Sequence, residues 1–125
     1  LMWWFKQSEA ARAAFTTPSV LCTHIEPTMK AFNQWVDQFK GVKMWSNGAN
    51  FDLPIIGHAL RQLDIVPAWP FWNERCFRTI KAQYKQSVPE PERKGEHHNA
   101  LDDAKHQAHH LIAIHRARAA QGGVL

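Results

Sequence analysis

A chain of 125 residues that is 45% hydrophobic and 21% charged excludes a disordered segment and is too short for two full domains, so one hydrophobic core is expected. The formal net charge of +4 permits a polyanionic partner without demonstrating one. Cys22 and Cys76 are the two cysteines and stand in no CxxC spacing, which argues against a disulfide framework and for a reducing interior.

The basic excess lies mostly in the second half: residues 1–60 carry five basic and four acidic side chains, residues 61–125 ten and seven. No basic region precedes the apolar opening LMWWF, and no apolar run is long enough to cross a bilayer. A soluble, cytoplasmic protein without membrane contact is expected. The chain begins with Leu1 and enters directly into a helical pattern, which suggests that an upstream piece is absent.

Trp3, Trp4 and Phe5, then Ala10, Ala11, Ala14 and Phe15, predict a short amphipathic helical unit in which Ser8 is an internal cap and restart. Thr16-Thr17-Pro18-Ser19 breaks it. Met29, Phe32, Trp35, Val36 and Phe39 recur at three and four and predict a helix over 24–40, ended by Gly41. VKMWS, 42–46, predicts a short strand, and Asn47-Gly48-Ala49-Asn50 a turn.

A helix follows over 51–63, since Pro54 falls in its first turn. Asp52 therefore sits where a strand hands over to a helix. Residues 65–75, IVPAWPFWNER, predict an ordered loop in which Trp69, Phe71 and Trp72 pack on the core rather than stack on bases. Residues 77–84 predict a helix, and 86–96, QSVPEPERKGE, the most exposed and mobile part of the chain. The last helix is expected over 99–120, capped by Asn99, ended by Gly122-Gly123 and packed through Ala100, Ala104, Ala108, Leu111, Ile112 and His115.

This order leaves one strand among helices. A lone strand satisfies neither its own hydrogen-bonding edges nor the apolar faces of the helices, so the pattern reads as the second half of an α/β domain. The edge at 42–46 and part of the 24–40 stripe are then expected to be exposed, which favours marginal stability or a homo-oligomer.

Two clusters, NGANFD at 47–52 and HHNALDDA at 97–104, hold nearly all the chemistry. Asp52, Asp102 and Asp103 lie near helix starts, where the helix dipole favours negative charge, and as isolated residues they would be cap and first-turn acids. Asp102 and Asp103, which follow the His97-His98 pair, form with it a plausible Mg²⁺ site with a general base. His106 and His110 stand one turn apart, but nothing else supplies zinc ligands, so a solvated helix face is expected. Arg78, Lys81 and Lys85 read equally as a phosphate-facing stripe and as surface charge.

Asn50-Phe51-Asp52 and His98-Asn99-Ala100-Leu101-Asp102-Asp103 resemble the second and third motifs of the DEDDh exonuclease superfamily, which includes ribonuclease T, oligoribonuclease and polymerase proofreading domains. The likeness is greater still to the small phage and prophage type. Its features match the Trp3-Trp4-Phe5-Lys6-Gln7-Ser8-Glu9-Ala10-Ala11-Arg12 run, the Trp45–Asp52 segment and the Arg78-Thr79 pair, so the likeness covers almost the whole chain. It implies a ribonuclease H-like α/β fold, N-terminally truncated so that the helices and one strand of the second part remain, in a single exonuclease-like domain over 1–125.

The resemblance also implies a 3′→5′ exonuclease acting on the 3′ end of single-stranded DNA or RNA, with two Mg²⁺ or Mn²⁺ ions in the complete protein. His98 matches the general base, Asp103 the metal-binding Asp, and Asp52 the acid that assists metal directly or through water. Asp102 is the neighbouring acid such proteins often carry. Asn50 and Arg78 are the substrate-binding candidates, with Asn47 and Gly48 shaping the turn.

Two departures stand out. Cys76 replaces a commonly acidic residue, which should alter local packing more than chemistry. The DxE of the first motif is absent, so the chain alone is expected to bind metal poorly and cleave weakly or not at all. The competing reading is a catalytically silent relative that binds nucleic acid or protein, and a purely structural helical domain leaves both motifs without a reason.

Overall fold

The computed structural model describes residues 2–13 and 24–122. The break expected at Thr16–Ser19 and Cys22 lie outside the described residues. The chain divides into two compact units, one of Thr23–Ala82 and the other of Leu1–Cys22 with Gln83–Leu125.

The Thr23–Ala82 unit holds a β-α-β arrangement. Helix α2 spans Ile25–Asp37, strand β1 Met44–Ser46, helix α3 Asp52–Gln62 and strand β2 Glu74–Cys76, which leads directly into helix α4, Phe77–Gln83. The two strands pair in parallel, with Met44 opposite Glu74, Trp45 opposite Arg75 and Ser46 opposite Cys76. Parallel pairing needs a crossover, and α3 lies within it.

The second strand corrects the expectation of a single one. Glu74-Arg75-Cys76 lies at the end of a segment expected to be loop and carries no apolar alternation. Its extended form comes from pairing with the β1 backbone, which residue pattern does not encode.

Val36, Leu53, Leu60 and Trp69 form the core of this unit, with Met29, Phe32, Val42, Met44, Ile56, Ile65 and Ala68 packed around it. The expected α2 stripe is thus only partly covered: Val36 is buried, whereas Trp35 remains 55% exposed and, just beyond the helix, Phe39 47%. The Trp-rich loop also divides. Trp69 is buried and donates its indole N–H to Glu74 Oε1 at 3.1 Å, while Phe71 and Trp72 are exposed.

In the other unit, α1 spans Glu9–Ala13 and α5 spans Ala100–Ala120. Ser8 caps α1 as expected, its Oγ accepting from the Ala11 N–H at 3.1 Å. Asn99 caps α5, its Oδ1 accepting from the N–H groups of Leu101 at 3.1 Å and Asp102 at 3.2 Å.

The buried face of α5 differs from the expected one. His106, His110 and Ile114 are buried, while Ala100, Ala104, Ala108 and Ile112 are exposed. This overturns the solvated-face reading of His106 and His110. Alanines are too small for a stripe of them to gain much by burial, whereas imidazole carries a larger packing surface once its nitrogen finds a partner. For His106 that partner is Glu90, 2.9 Å from Nε2.

The 86–96 segment has no regular secondary structure and is mostly exposed, as expected, yet it is tied at several points. Val88 is buried, and Glu90, Arg93 and Glu96 are all tied to other parts of the same unit. Among the described residues no helix is long and apolar enough to cross a membrane.

Candidate functional site

The NGANFD turn joins the end of β1 to the start of α3. Ser46, buried at the strand end, donates its hydroxyl to the Gly48 carbonyl at 2.9 Å. Gly48 has φ +137°, a conformation open to glycine and strained for other residues. Asp52 is the first residue of α3, and its Oδ2 accepts from the Asn47 N–H at 3.0 Å. The Asn47 backbone is also held through its carbonyl, which accepts from Arg78 Nη2 at 3.1 Å.

Asp52, Asn47 and Arg78 therefore form one chain of contacts across the backbone of a single residue. Arg78 is exposed and reaches the turn from the first turn of α4, which β2 delivers beside β1. Asn50 and Phe51 are exposed on this turn, Phe51 at 63%. Lys81 is half-buried and Lys85 lies beyond the end of α4.

Cys76 lies between the same two elements. The Thr79 hydroxyl beside it holds its thiol below the usual thiol range; partial burial opposes this, and the backbone N–H groups of Thr79, Arg78 and Ala49 reinforce it. The sulfur thus takes hydrogen bonds from both α4 and the turn, the capping work that a carboxylate would do in its place.

In the Leu1–Cys22 and Gln83–Leu125 unit the candidates gather at the start of α5. His98 has φ +67°, and its ring lies edge-on to Trp3 with centroids 4.8 Å apart. Asp103 is in the first turn of α5 and pairs with Arg93, Nη1 to Oδ1, at 2.7 Å. Asp102 faces the preceding loop, its Oδ2 accepting from the Glu96 N–H at 2.9 Å. Glu96 in turn accepts from the Ser8 hydroxyl, which links the loop to the cap of α1.

Gly95 explains how the loop comes so close. A Cβ at this position would lie 2.5 Å from Asp102 Cγ, and φ is +88°. Only glycine meets both conditions without displacement.

Of the sequence candidates, Asp52 and Arg78 share one network with Asn47, and Asp103 and His98 lie at the start of α5 with Arg93 and Trp3 as respective neighbours. Arg93, Gly95 and the packing role of Trp3 are what residue patterns missed. The signal available for the first two was an arginine and a glycine spaced two apart just ahead of His97-His98, set aside as part of an exposed loop.

The donor chemistry of Asp52 and Asp103 suits a hard divalent cation, which takes carboxylate oxygens. Among the described residues, however, no group of three or more His, Cys, Asp or Glu side chains is disposed to hold a metal ion. The two aspartates are individual ligands in character rather than a complete cage.

The sequence profile of the 3′-5′ exoribonuclease Rv2179c-like domain family matches residues 1–115. The chain belongs to that family. The match runs through both motifs and through the Arg78, Arg93 and Gly95 positions, so the Rv2179c-like domain accounts for nearly the whole chain. No curated protein and no solved structure matches it significantly.

Proposed function

We propose that this Rv2179c-like domain belongs to a 3′→5′ exonuclease of the DEDDh type, with a ribonuclease H-like architecture and a likeness to the small phage and prophage enzymes. The observation that carries this reading is the start of α5. His98 directly precedes an Asn99-capped helix whose first turn bears Asp102 and Asp103, in a chain of an exoribonuclease family.

RNA is the substrate class the family description favours, and DNA with a free 3′ end is the alternative. Asp103 and Asp52 would hold divalent cations, Mg²⁺ or Mn²⁺, which when bound lower the pKa of coordinated water and neutralise phosphate charge. His98 takes a proton from the attacking water, a task for which an imidazole is well suited near neutral pH.

The remaining side chains position these. Asn99 fixes the start of α5 and thereby the direction of Asp103. Asp102 serves the loop, through the Glu96 N–H, rather than substrate. Arg78 braces the backbone of Asn47, the residue whose N–H is bonded to Asp52, and with Asn50 lies exposed where a terminal nucleotide would be met.

The chain contains no DxE pair, so its own carboxylates are too few for two ions, and by itself it is expected to cleave weakly or not at all. This keeps a second reading in view, a relative that binds nucleic acid without cutting it. The test uses 5′-labelled single-stranded RNA and DNA with Mg²⁺ or Mn²⁺, comparing the whole natural protein with its His98→Ala/Asp103→Asn variant. A ladder shortening from the 3′ end, absent in the variant, supports the exonuclease. Retained binding without any ladder supports the silent relative.

A further inference from the structure

The loop between α3 and β2 carries three large aromatic side chains, and one of them serves the core. Trp69 is buried with Val36, Leu53 and Leu60, whereas Phe71 is 77% and Trp72 66% exposed. Buried anchors flank the exposed pair. On one side the Trp69 indole is bonded to Glu74, and on the other buried Asn73 accepts from Lys43 Nζ through its Oδ1. Asn33 on α2 holds the loop twice more, its amide donating to the Val66 carbonyl at 2.9 Å and its Oδ1 accepting from the Ala68 N–H at 2.8 Å. With Trp69 and Asn73 turned inward, the short turn Phe71–Asn73 after Pro70 leaves Phe71 and Trp72 in solvent. Their rings meet edge-on, with centroids 5.1 Å and planes 81° apart, so neither lies flat over the other. Large apolar rings held in water by a fastened loop mark a surface that a ligand covers.

Charge decides the kind of ligand. Residues 69–85 carry Arg75, Arg78, Lys81 and Lys85 against Glu74 alone, and the Glu74 carboxylate already accepts from the Trp69 indole. Arg75 is exposed and folds back on the aromatic pair, its Nη1 donating to the Trp72 carbonyl at 2.7 Å and to the Glu74 carbonyl at 2.8 Å. A guanidinium has five N–H donors, so one anchored through Nη1 can still meet a phosphate oxygen. Aromatic rings beside a fixed cation match a single strand of nucleic acid, whose unpaired bases stack and whose phosphates are negative.

The aromatic pair belongs to the same unit as the NGANFD turn. Because β1 and β2 run parallel, the turn after Ser46 and Arg78 after Cys76 share one end of the strand pair, while Phe71–Asn73 leads into the other. A three-residue strand spans roughly 10 Å, a short path for an extended nucleic-acid strand.

We propose that Phe71, Trp72 and Arg75 form a stacking platform for unpaired bases of single-stranded RNA, a short way upstream of a 3′ end placed at the NGANFD turn. The proposal deepens the exonuclease reading and rests on it for the position of the 3′ end. Binding to the platform uses ring faces and a guanidinium and needs no metal ion.

The experiment measures fluorescence anisotropy of a short fluorescein-labelled oligouridylate with the whole natural protein in EDTA, which separates binding from cleavage. Phe71→Ala/Trp72→Ala should weaken binding about tenfold to a hundredfold, the range for loss of base–aromatic stacking. Trp72→Phe keeps a ring face and should stay near wild type, and Arg75→Gln should weaken binding and flatten its salt dependence. Wild-type affinity in the double variant overturns the platform, as does a wild type that binds no oligouridylate. A double variant that turns a dimeric wild type into a monomer with RNA affinity kept assigns the face to a second copy instead. Should the double variant fail to fold, tryptophan emission decides: RNA should quench the wild type more than Trp72→Phe, and equal quenching overturns the stacking. The 3′ ladder tests the exonuclease reading separately, so either can fail alone.

Discussion

The NGANFD turn and the start of α5 each present an acidic residue in the first turn of a helix, yet they are built in opposite ways. Asp52 is held by a local contact: its partner Asn47 is five residues away, and Ser46 bonds Gly48 within the same turn. Its one distant support is Arg78. Asp103 is held in a site assembled from afar, with Arg93 and Glu96 arriving from a loop without secondary structure and Ser8 from the start of the chain. A locally made turn survives changes elsewhere, while an assembled site depends on every anchor.

The comparison is broken or sharpened first by activity. In the whole natural protein, His98→Ala should lower exonuclease turnover by about 10²- to 10⁴-fold, the usual contribution of a general base, and Asp103→Asn should be at least as damaging. Asp52→Asn should cost less if the turn keeps its form, because an amide oxygen still accepts from the Asn47 N–H. Equal loss at Asp52 and Asp103, measured as initial rates on labelled RNA, would show that the two regions contribute alike.

The glycines offer a test through stability. Gly95→Ala combines a steric clash with a left-handed backbone and should cost about 3 kcal/mol in urea unfolding. Gly48→Ala meets only ordinary contacts, at 3.8 Å from Phe51 Cβ and 3.9 Å from Arg78, so backbone strain alone remains, about 1–2 kcal/mol. A reversed order would mean that the loop on α5 adapts more readily than the turn. Asn99→Ala removes a two-bond cap and should cost about 1 kcal/mol by the same measurement.

The smallest effect concerns Cys76, at the seam between the turn and α4. A thiol held below its usual pKa in the folded protein favours folding where it is ionised. That contribution is present above the unfolded thiol pKa of about 8.5 and is lost as pH falls through the lower folded value. The stability difference between wild type and Cys76→Ser should therefore widen from pH 6 to pH 9.5 under reducing conditions. A difference that is flat with pH would mean that the Thr79 hydroxyl does not favour the thiolate.

Much of this protein was legible in its residues because the relevant physics is local. Asn99 as a cap, Ser8 as a restart, Asp52 at the head of a helix and the strand at 44–46 all follow from side-chain hydrogen bonding, dihedral preference and apolar spacing within a few residues. Where the reading failed, the cause was distant in sequence.

Glu74–Cys76 became a strand only because β1 offered a parallel edge. His106 and His110 became core only because α5 turned that face inward and Glu90 met one imidazole. The ties of segment 86–96 to α5 were not legible because the partners of its polar residues are set by the fold. Residue types and spacing determined where its helices begin and which acidic side chains stand in their first turns. Tertiary structure alone decided which charges face Asp103, since an ion pair between positions ten apart depends on a loop closing through a glycine that residue pattern marks only as a turn.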